Sequence, residues 1–291
     1  MIKSIIKKII PDKIEVKRLY KKIMGKQLNL NNPRTFNEKL QWLKLYDRDP
    51  RYTMMVDKCE AKKYVSQIIG DEYIIPTYGV WNKFEEIDFD KLPDQFVLKC
   101  THDSGGLVVV RDKSKFDKKA AKQKIERCLK NNFFYCAREW PYKHVKPRII
   151  AEKYMEDSSG ELNDYKIMCF NGRAYCSFVC TDRFSEDGLK VTIYDRSWNR
   201  LAFKRPYPSS EKEIAKPINY EKMVEIAEAI SKDISFVRID FYECNEKLYF
   251  GEITFYPGGG FEEFEPEAWD EKLGKLIKLP EKRRKIGGRG W

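Results

Sequence analysis

Residues 237–260 read VRIDFYECNEKLYFGEITFYPGGG. Val237, Ile239 and Phe241 alternate with Arg238, Asp240 and Tyr242, the period-two pattern of a half-buried strand. Residues 248–255 read as a second strand, with Asn245, Glu246 and Lys247 as the polar turn between them. A turn centred on Glu246 sets Asp240 opposite Glu252 and Arg238 opposite Thr254. Like charges directly opposed across a hairpin destabilise it, so a cation is expected between the two acids. Oxygen donors favour a hard divalent ion, Mg2+ shared with a phosphate above all. The same pattern also fits a solvated face whose charges alternate with core residues.

Composition frames that hairpin. A chain of 291 residues suffices for two lobes or one large α/β domain. With 42% hydrophobic and 14% aromatic residues it can bury a real core, and 35% charged residues fit a soluble protein. The net charge of +11 points to an anionic partner: nucleotide phosphates, an acidic polysaccharide, nucleic acid or a membrane surface. The eight cysteines form no CxxC, and His102 and His144 are the only histidines. Buried free thiols in a reducing, cytoplasmic compartment therefore fit better than structural zinc. No stretch approaches the ~18 apolar residues of a membrane helix. Residues 1–13, MIKSIIKKIIPDK, are amphipathic and basic. They suit a docking helix, or a segment resting on an anionic membrane at its inner face.

Along the chain, Thr35 followed by Glu38 predicts a capping box that opens a helix running to about Tyr46. A second helix is expected over 52–69, and short strands at 74–76 and 79–81. Residues 96–100, FVLKC, predict a buried strand leading into Thr101-His102-Asp103-Ser104-Gly105-Gly106 and a return strand at 107–110. Such a tip can cradle phosphates with Lys99 reaching in, or be a plain hairpin that uses glycine for its turn. A basic helix follows over 113–132, with Ala120, Ala121, Ile125, Cys128 and Leu129 inward. The aromatic run 133–142 fits packing between lobes, with Arg138, Glu139 and Trp140 as possible substrate contacts. Strands are expected at 149–155, 164–170, 174–180 and 190–194, the middle pair joined by Asn171-Gly172, and a helix at 220–231.

These blocks, in this order, resemble the ATP-grasp superfamily, and within it the TupA-like branch found among genes for capsule and teichuronopeptide biosynthesis. The resemblance rests on NPRTFNEKLQWLKLYDR (32–48), FVLKCTHDSGG (96–106), KPRIIAEKYMED (146–157), DYKIMCFNGR (164–173) and the 237–260 hairpin, and covers roughly residues 28–280. It implies an α+β fold whose two α+β lobes hold nucleotide between antiparallel sheets. The implied division is a basic amphipathic segment (1–27), a helical α-β region (28–95), a small lobe with the phosphate loop (96–152), a large lobe with the metal site (153–280) and a flexible basic tail (281–291).

The resemblance also implies roles. Lys99 would bind the α- and β-phosphates, under a closing loop of Ser104, Gly105 and Gly106. Glu152, Lys153, Tyr154 and Met155 match a hinge that, in D-alanine–D-alanine ligases, flanks adenine. Asp157 or Glu161 would take the ribose, and Lys166 would join the nucleotide contacts. Asp240 and Glu252 would bind magnesium, and Arg238 would steady an acyl phosphate. Thr254 stands where the family has an asparagine ligand, which leaves the metal count open. Asp103, where relatives carry a small residue, would repel phosphates unless turned outward.

The implied function is an ATP- and Mg2+-dependent carboxylate–amine ligase acting on an anionic glycan or sugar acid and an amine or amino acid. No nucleic-acid partner is expected. A sugar or glycan kinase, a glycosyltransferase, and a non-catalytic basic polymer-binding module are the alternatives.

Overall fold

The computed structural model describes residues 8–158, 162–183, 185, 186 and 188–281. Helix α1 (Asp12–Met24) docks through buried Val16 and Tyr20. Helix α2 (Phe36–Tyr46) opens with the expected capping box, in which Glu38 N–H donates to Thr35 Oγ1 and Thr35 N–H to Glu38 Oε2, both at 3.2 Å. The single helix expected over 52–69 is two, α3 (Arg51–Val56) and α4 (Glu60–Ile69). Asp57 is extended between them, and its Oδ1 accepts from the N–H groups of Cys59 (2.8 Å) and Glu60 (3.2 Å), so its carboxylate restarts the helix.

Four antiparallel strands form a small sheet in the order β1-β4-β2-β3: β1 (Thr77–Trp81), β2 (Phe96–Cys100), β3 (Leu107–Val110) and β4 (Ile149–Lys153). The strand expected at 74–76 is absent; Ile74 makes only an isolated bridge to Phe250, and Pro76 lacks the N–H a ladder needs. Helix α5 (Lys118–Leu129) covers one face of this sheet through Ala121 and Ile125, against Phe96, Leu98, Cys100, Ile149 and Ala151. It starts later than expected because Asp117 caps it, accepting from Ala120 N–H at 2.9 Å, and Ala120 is exposed. A short helix, α6 (Phe134–Ala137), precedes β4.

Five antiparallel strands form the large sheet in the order β7-β6-β5-β8-β9: β5 (Asp164–Phe170), β6 (Arg173–Thr181), β7 (Lys190–Asp195), β8 (Phe236–Cys244) and β9 (Lys247–Thr254). Asn171 and Gly172 have φ of 50° and 78°, the left-handed pair that a two-residue hairpin needs. Helix α7 (Tyr220–Ile230) packs on β5 and β6, and α8 (Ala268–Leu276) packs on α2.

The β8–β9 hairpin reaches the expected register by an unexpected route. Arg238 pairs with Thr254 and Asp240 with Glu252. The turn, however, is two residues, Asn245 and Glu246, with φ of 50° and 62°. That shorter turn alone would shift the pairing by one, and a bulge between the Asp240 and Phe241 pairs restores it. The extra residue is Gly251; a Cβ there would stand 3.0 Å from Asp240 O.

All eight cysteines are free; six are buried, Cys128 is half-buried and Cys136 is exposed. Among the described residues no helix is long and apolar enough to cross a membrane.

Candidate active site

Two charged clusters stand on the two sheets. On the small sheet, Val97 pairs with Glu152, so Lys99, two residues on, shares the face of Glu152. Lys62 enters from α4. Glu152 Oε1 meets Lys62 Nζ and Oε2 meets Lys99 Nζ, each at 2.5 Å. Lys62 also donates to Ile75 O at 2.7 Å and to Thr77 Oγ1 at 3.0 Å. Burial alone would raise the Glu152 carboxyl, but the charges of Lys99 and Lys62 outweigh it and hold it at about 2. Two lysines on one carboxylate leave an excess positive charge, and Lys99 is a quarter exposed, so the cluster can meet an anion.

On the large sheet, Phe178, Lys166, Asp240 and Glu252 form one cross-strand row. Arg238 grips Asp240 in bidentate fashion, Nε to Oδ1 and Nη2 to Oδ2, both at 2.7 Å. Its Nη2 also reaches Thr254 Oγ1 at 3.1 Å and Glu252 Oε1 at 3.3 Å. Lys166 Nζ lies 2.5 Å from both Asp240 Oδ2 and Asp164 Oδ2. Burial opposes ionisation of Asp240, but Arg238 and Lys166 hold its carboxyl below the usual carboxylate range. Asp164 is pushed up by burial, and its Oδ1 is buried without a partner.

These oxygens suit a hard divalent cation. Asp240 and Glu252 face each other, Thr254 stands beside them, and Glu252 is nearly half exposed. Among the described residues no group of three or more His, Cys, Asp or Glu is placed to hold a metal ion. An ion here would take its other ligands from phosphate oxygens and water, as Mg2+ commonly does.

Behind the row, the chain after β9 turns through Gly258, Gly259 and Gly260, with φ of 56°, 65° and 66°, a left-handed run that side chains resist. One face of α2 holds this turn. Asn37 Nδ2 donates to Glu262 O at 2.7 Å and Asn37 Oδ1 accepts from Glu262 N–H at 2.9 Å. Gln41 Nε2 donates to Gly260 O at 2.6 Å, and Lys44 Nζ donates to Gly259 O at 2.5 Å and Ala137 O at 2.8 Å. Lys44 is buried beside Glu139; burial lowers the lysine to about 7 and raises the carboxyl to about 7, and each is the other's main counter-charge. Burial also pushes the Tyr142 phenol up, with Glu139, Glu252 and Asp103 adding to it.

The remaining expected residues fall as follows. Gly106 N–H donates to Asp103 Oδ1 at 3.0 Å, so the acid is neither outward nor free but folded back into its own loop. Among the described residues nothing accepts from the N–H groups of Ser104 and Gly105, both exposed. Lys153 lies on the opposite face of the small sheet from Glu152. With Tyr154, Tyr78, Gln95 and Arg111 it lines a surface depression of about 810 Å³ that none of Lys99, Glu152 and Asp240 borders. Met155 is half-buried. Asp157 Oδ2 accepts from Asn245 N–H at 2.6 Å, which ties the segment after β4 to the β8–β9 turn. Glu161 lies outside the described residues, as do Met1–Lys7 and most of the basic tail.

Sequence reasoning passed over Lys62, Lys44 and Arg205. One signal was present for Lys44: Asn37, Gln41 and Lys44 recur at helical spacing beside the apolar Phe36, Leu40 and Leu43.

The chain is similar in fold to the D-alanine–D-alanine ligase of Bacillus anthracis complexed with ATP, at 18% identity over 77% of this chain and 63% of that one (TM-score 0.43). The D-alanine–D-alanine ligase of Helicobacter pylori matches at 14% identity over 84% and 69% (TM-score 0.43). A RimK domain ATP-grasp protein of Sphaerobacter thermophilus matches at 11% identity over 80% and 70% (TM-score 0.44). This chain thus spans under two thirds of the Bacillus enzyme's length. No curated protein matches it in sequence. The model of the TupA-like ATP-grasp family matches residues 38–278, which take in both sheets and both charge clusters, and the chain belongs to that family.

Proposed function

We propose that this protein is an ATP- and Mg2+-dependent carboxylate–amine ligase. Its substrates would be a uronic-acid-containing glycan or precursor and an amine or amino acid. The observation that carries this reading is the row in which Arg238, Asp240 and Glu252 meet on paired strands. A carboxylate is a poor acylating agent until phosphorylation gives it a leaving group. The γ-phosphoryl of ATP passes to the acid, and the amine then displaces phosphate. That transfer needs cations where charge develops. Lys99 and Lys62 supply them at the small sheet and Arg238 at the large one. Mg2+ held by Asp240 and Glu252, with Thr254 beside them, would neutralise phosphate charge. Ser104 and Gly105 offer N–H groups to the phosphates. Glu152 and Met155 border the nucleotide, and Asp157 or Glu161 takes the ribose, while the Lys153 side chain stands apart on the other face of the small sheet. The basic surface suits an acidic glycan. A peripheral membrane contact through residues 1–27 is a separate part of the proposal, tested by flotation with anionic vesicles.

Titration of ATP with and without Mg2+, on wild type and Asp240→Asn, tests the site. Binding that needs Mg2+ and weakens at least tenfold in the variant is expected, followed by ADP and phosphate release with the right acid and amine. A folded wild type that binds no ATP in either condition would overturn the reading. ADP with a stable phosphorylated product would make it a kinase instead.

A further inference from the structure

The ligase reading leaves Arg205 and Glu262 without a task. Arg205 lies between β7 and α7, and its side chain is nine-tenths buried. Its guanidinium carbon sits 5.0 Å from the ring centre of Phe178, the residue that begins the row continuing through Lys166, Asp240 and Glu252. Arg205 is therefore on the catalytic face of the large sheet.

Its bonding is incomplete. Nη2 pairs with Glu262 Oε1, but Nε is buried with no partner, and so is Glu262 Oε2. A buried donor left unpaired is costly, so a group that regularly satisfies it is expected. Burial, and after it the like charge of Arg238, lowers Arg205 to about 10; two guanidinium groups are thus within electrostatic reach of each other. Glu262 is fixed in turn, because Asn37 holds its backbone at both N–H and C=O. The planar fork of arginine matches a carboxylate better than any other common anion of this size except phosphate. Phosphate is already provided for by Lys99, Lys62 and the acids with their metal.

We propose that Arg205 is the binding residue for a substrate carboxylate at the end of the row over Phe178. The reading of the site as a ligase supplies only the two sources of that group, the sugar acid or the carboxylate of an amino acid. Tyr207, exposed and 6.0 Å from the same guanidinium, offers an aromatic edge to whatever carries it.

The test uses the full chain and two probes, D-glucuronate and glycine, with D-glucose and methylamine as partners lacking the carboxylate. Affinities are measured by NMR titration with and without MgATP, for wild type, Arg205→Ala and Arg205→Lys, alongside MgATP affinity and thermal unfolding. Arg205→Lys keeps the charge and the burial but not the fork, so it reports even if the alanine variant does not fold. One carboxylate probe should bind wild type in preference to its control and weaken at least tenfold in a folded variant, with MgATP affinity unchanged. Weakened glucuronate identifies the sugar acid as the source, and weakened glycine the amino acid. The proposal is overturned if neither probe binds wild type, if binding survives both substitutions, or if MgATP affinity falls in parallel. Because probe binding is also read without nucleotide, loss of the ATP site alone leaves it standing.

Discussion

The two charge clusters use the same residue types to opposite ends. On the small sheet, Glu152 is buried and each of its oxygens is taken by its own lysine. On the large sheet, Arg238, Lys166 and Arg183 serve Asp164, Asp240 and Glu252 together, Asp164 Oδ1 has no partner, and Glu252 stays nearly half exposed. The first is closed among its own members and offers only surplus positive charge. The second is balanced in charge but has spare oxygens, one of them at the half-exposed Glu252. A closed cluster fixes a lysine in place for an incoming phosphate, and an open one leaves room for ligands the chain itself does not carry.

The sharpest way to break this contrast is to remove the shared carboxylate. Glu152→Ala leaves the buried Lys62 and the partly exposed Lys99 ammonium groups facing each other and should cost about 3 kcal/mol, read from the urea midpoint. A variant as stable as wild type would show that the small-sheet cluster is not closed at all. Acid tests the same point in wild type. Glu152 titrates at about 2 in the folded chain against an ordinary value of 4.5. Its contribution is therefore complete above about pH 4.5 and is lost as pH falls toward 2. Glu152→Gln should flatten that part of the stability profile; an unchanged slope would assign acid unfolding to other carboxylates.

A middle-sized effect is expected at the clamp on the glycine turn. Asn37→Ala removes two buried hydrogen bonds to Glu262 and should cost about 1–3 kcal/mol by thermal unfolding. The smallest change in stability belongs to Glu252→Gln, within about 0.5 kcal/mol, because the residue is half in water. The same substitution should lower Mg2+-dependent ATP affinity at least tenfold. If it instead lowers stability by well over ~1 kcal/mol while leaving the nucleotide affinity of the folded chain intact, the open cluster is structural.

What could be read from the sequence follows from how local each signal is. Arg238, Asp240 and Glu252 were placed together by strand alternation, which needs only neighbouring residues. The capping box at Thr35 and the Asn171-Gly172 turn are local in the same sense. Lys62, Lys44 and Arg205 were not legible as partners, because each finds its counterpart far along the chain, at Glu152, Glu139 and Glu262. In a basic chain, a buried lysine looks like every other lysine until the fold removes it from water. The break at Asp57 was missed for a related reason: a side chain that caps one helix can also end the one before it.

The bulge at Gly251 couples chain length to which side of the sheet a residue faces. Leu248 and Phe250 sit on the core side, and Glu252, across the bulge, on the other. Loss of Gly251 alone would keep Phe250 opposite Phe241 and Glu252 opposite Asp240, whereas one residue lost at Leu248 or Tyr249, with the turn kept, would slide Phe250 opposite Tyr242 and onto the acids' side. Among natural variants of this hairpin, a lone deletion at Gly251 should therefore occur with the acids kept, and a lone deletion at 248 or 249 should not.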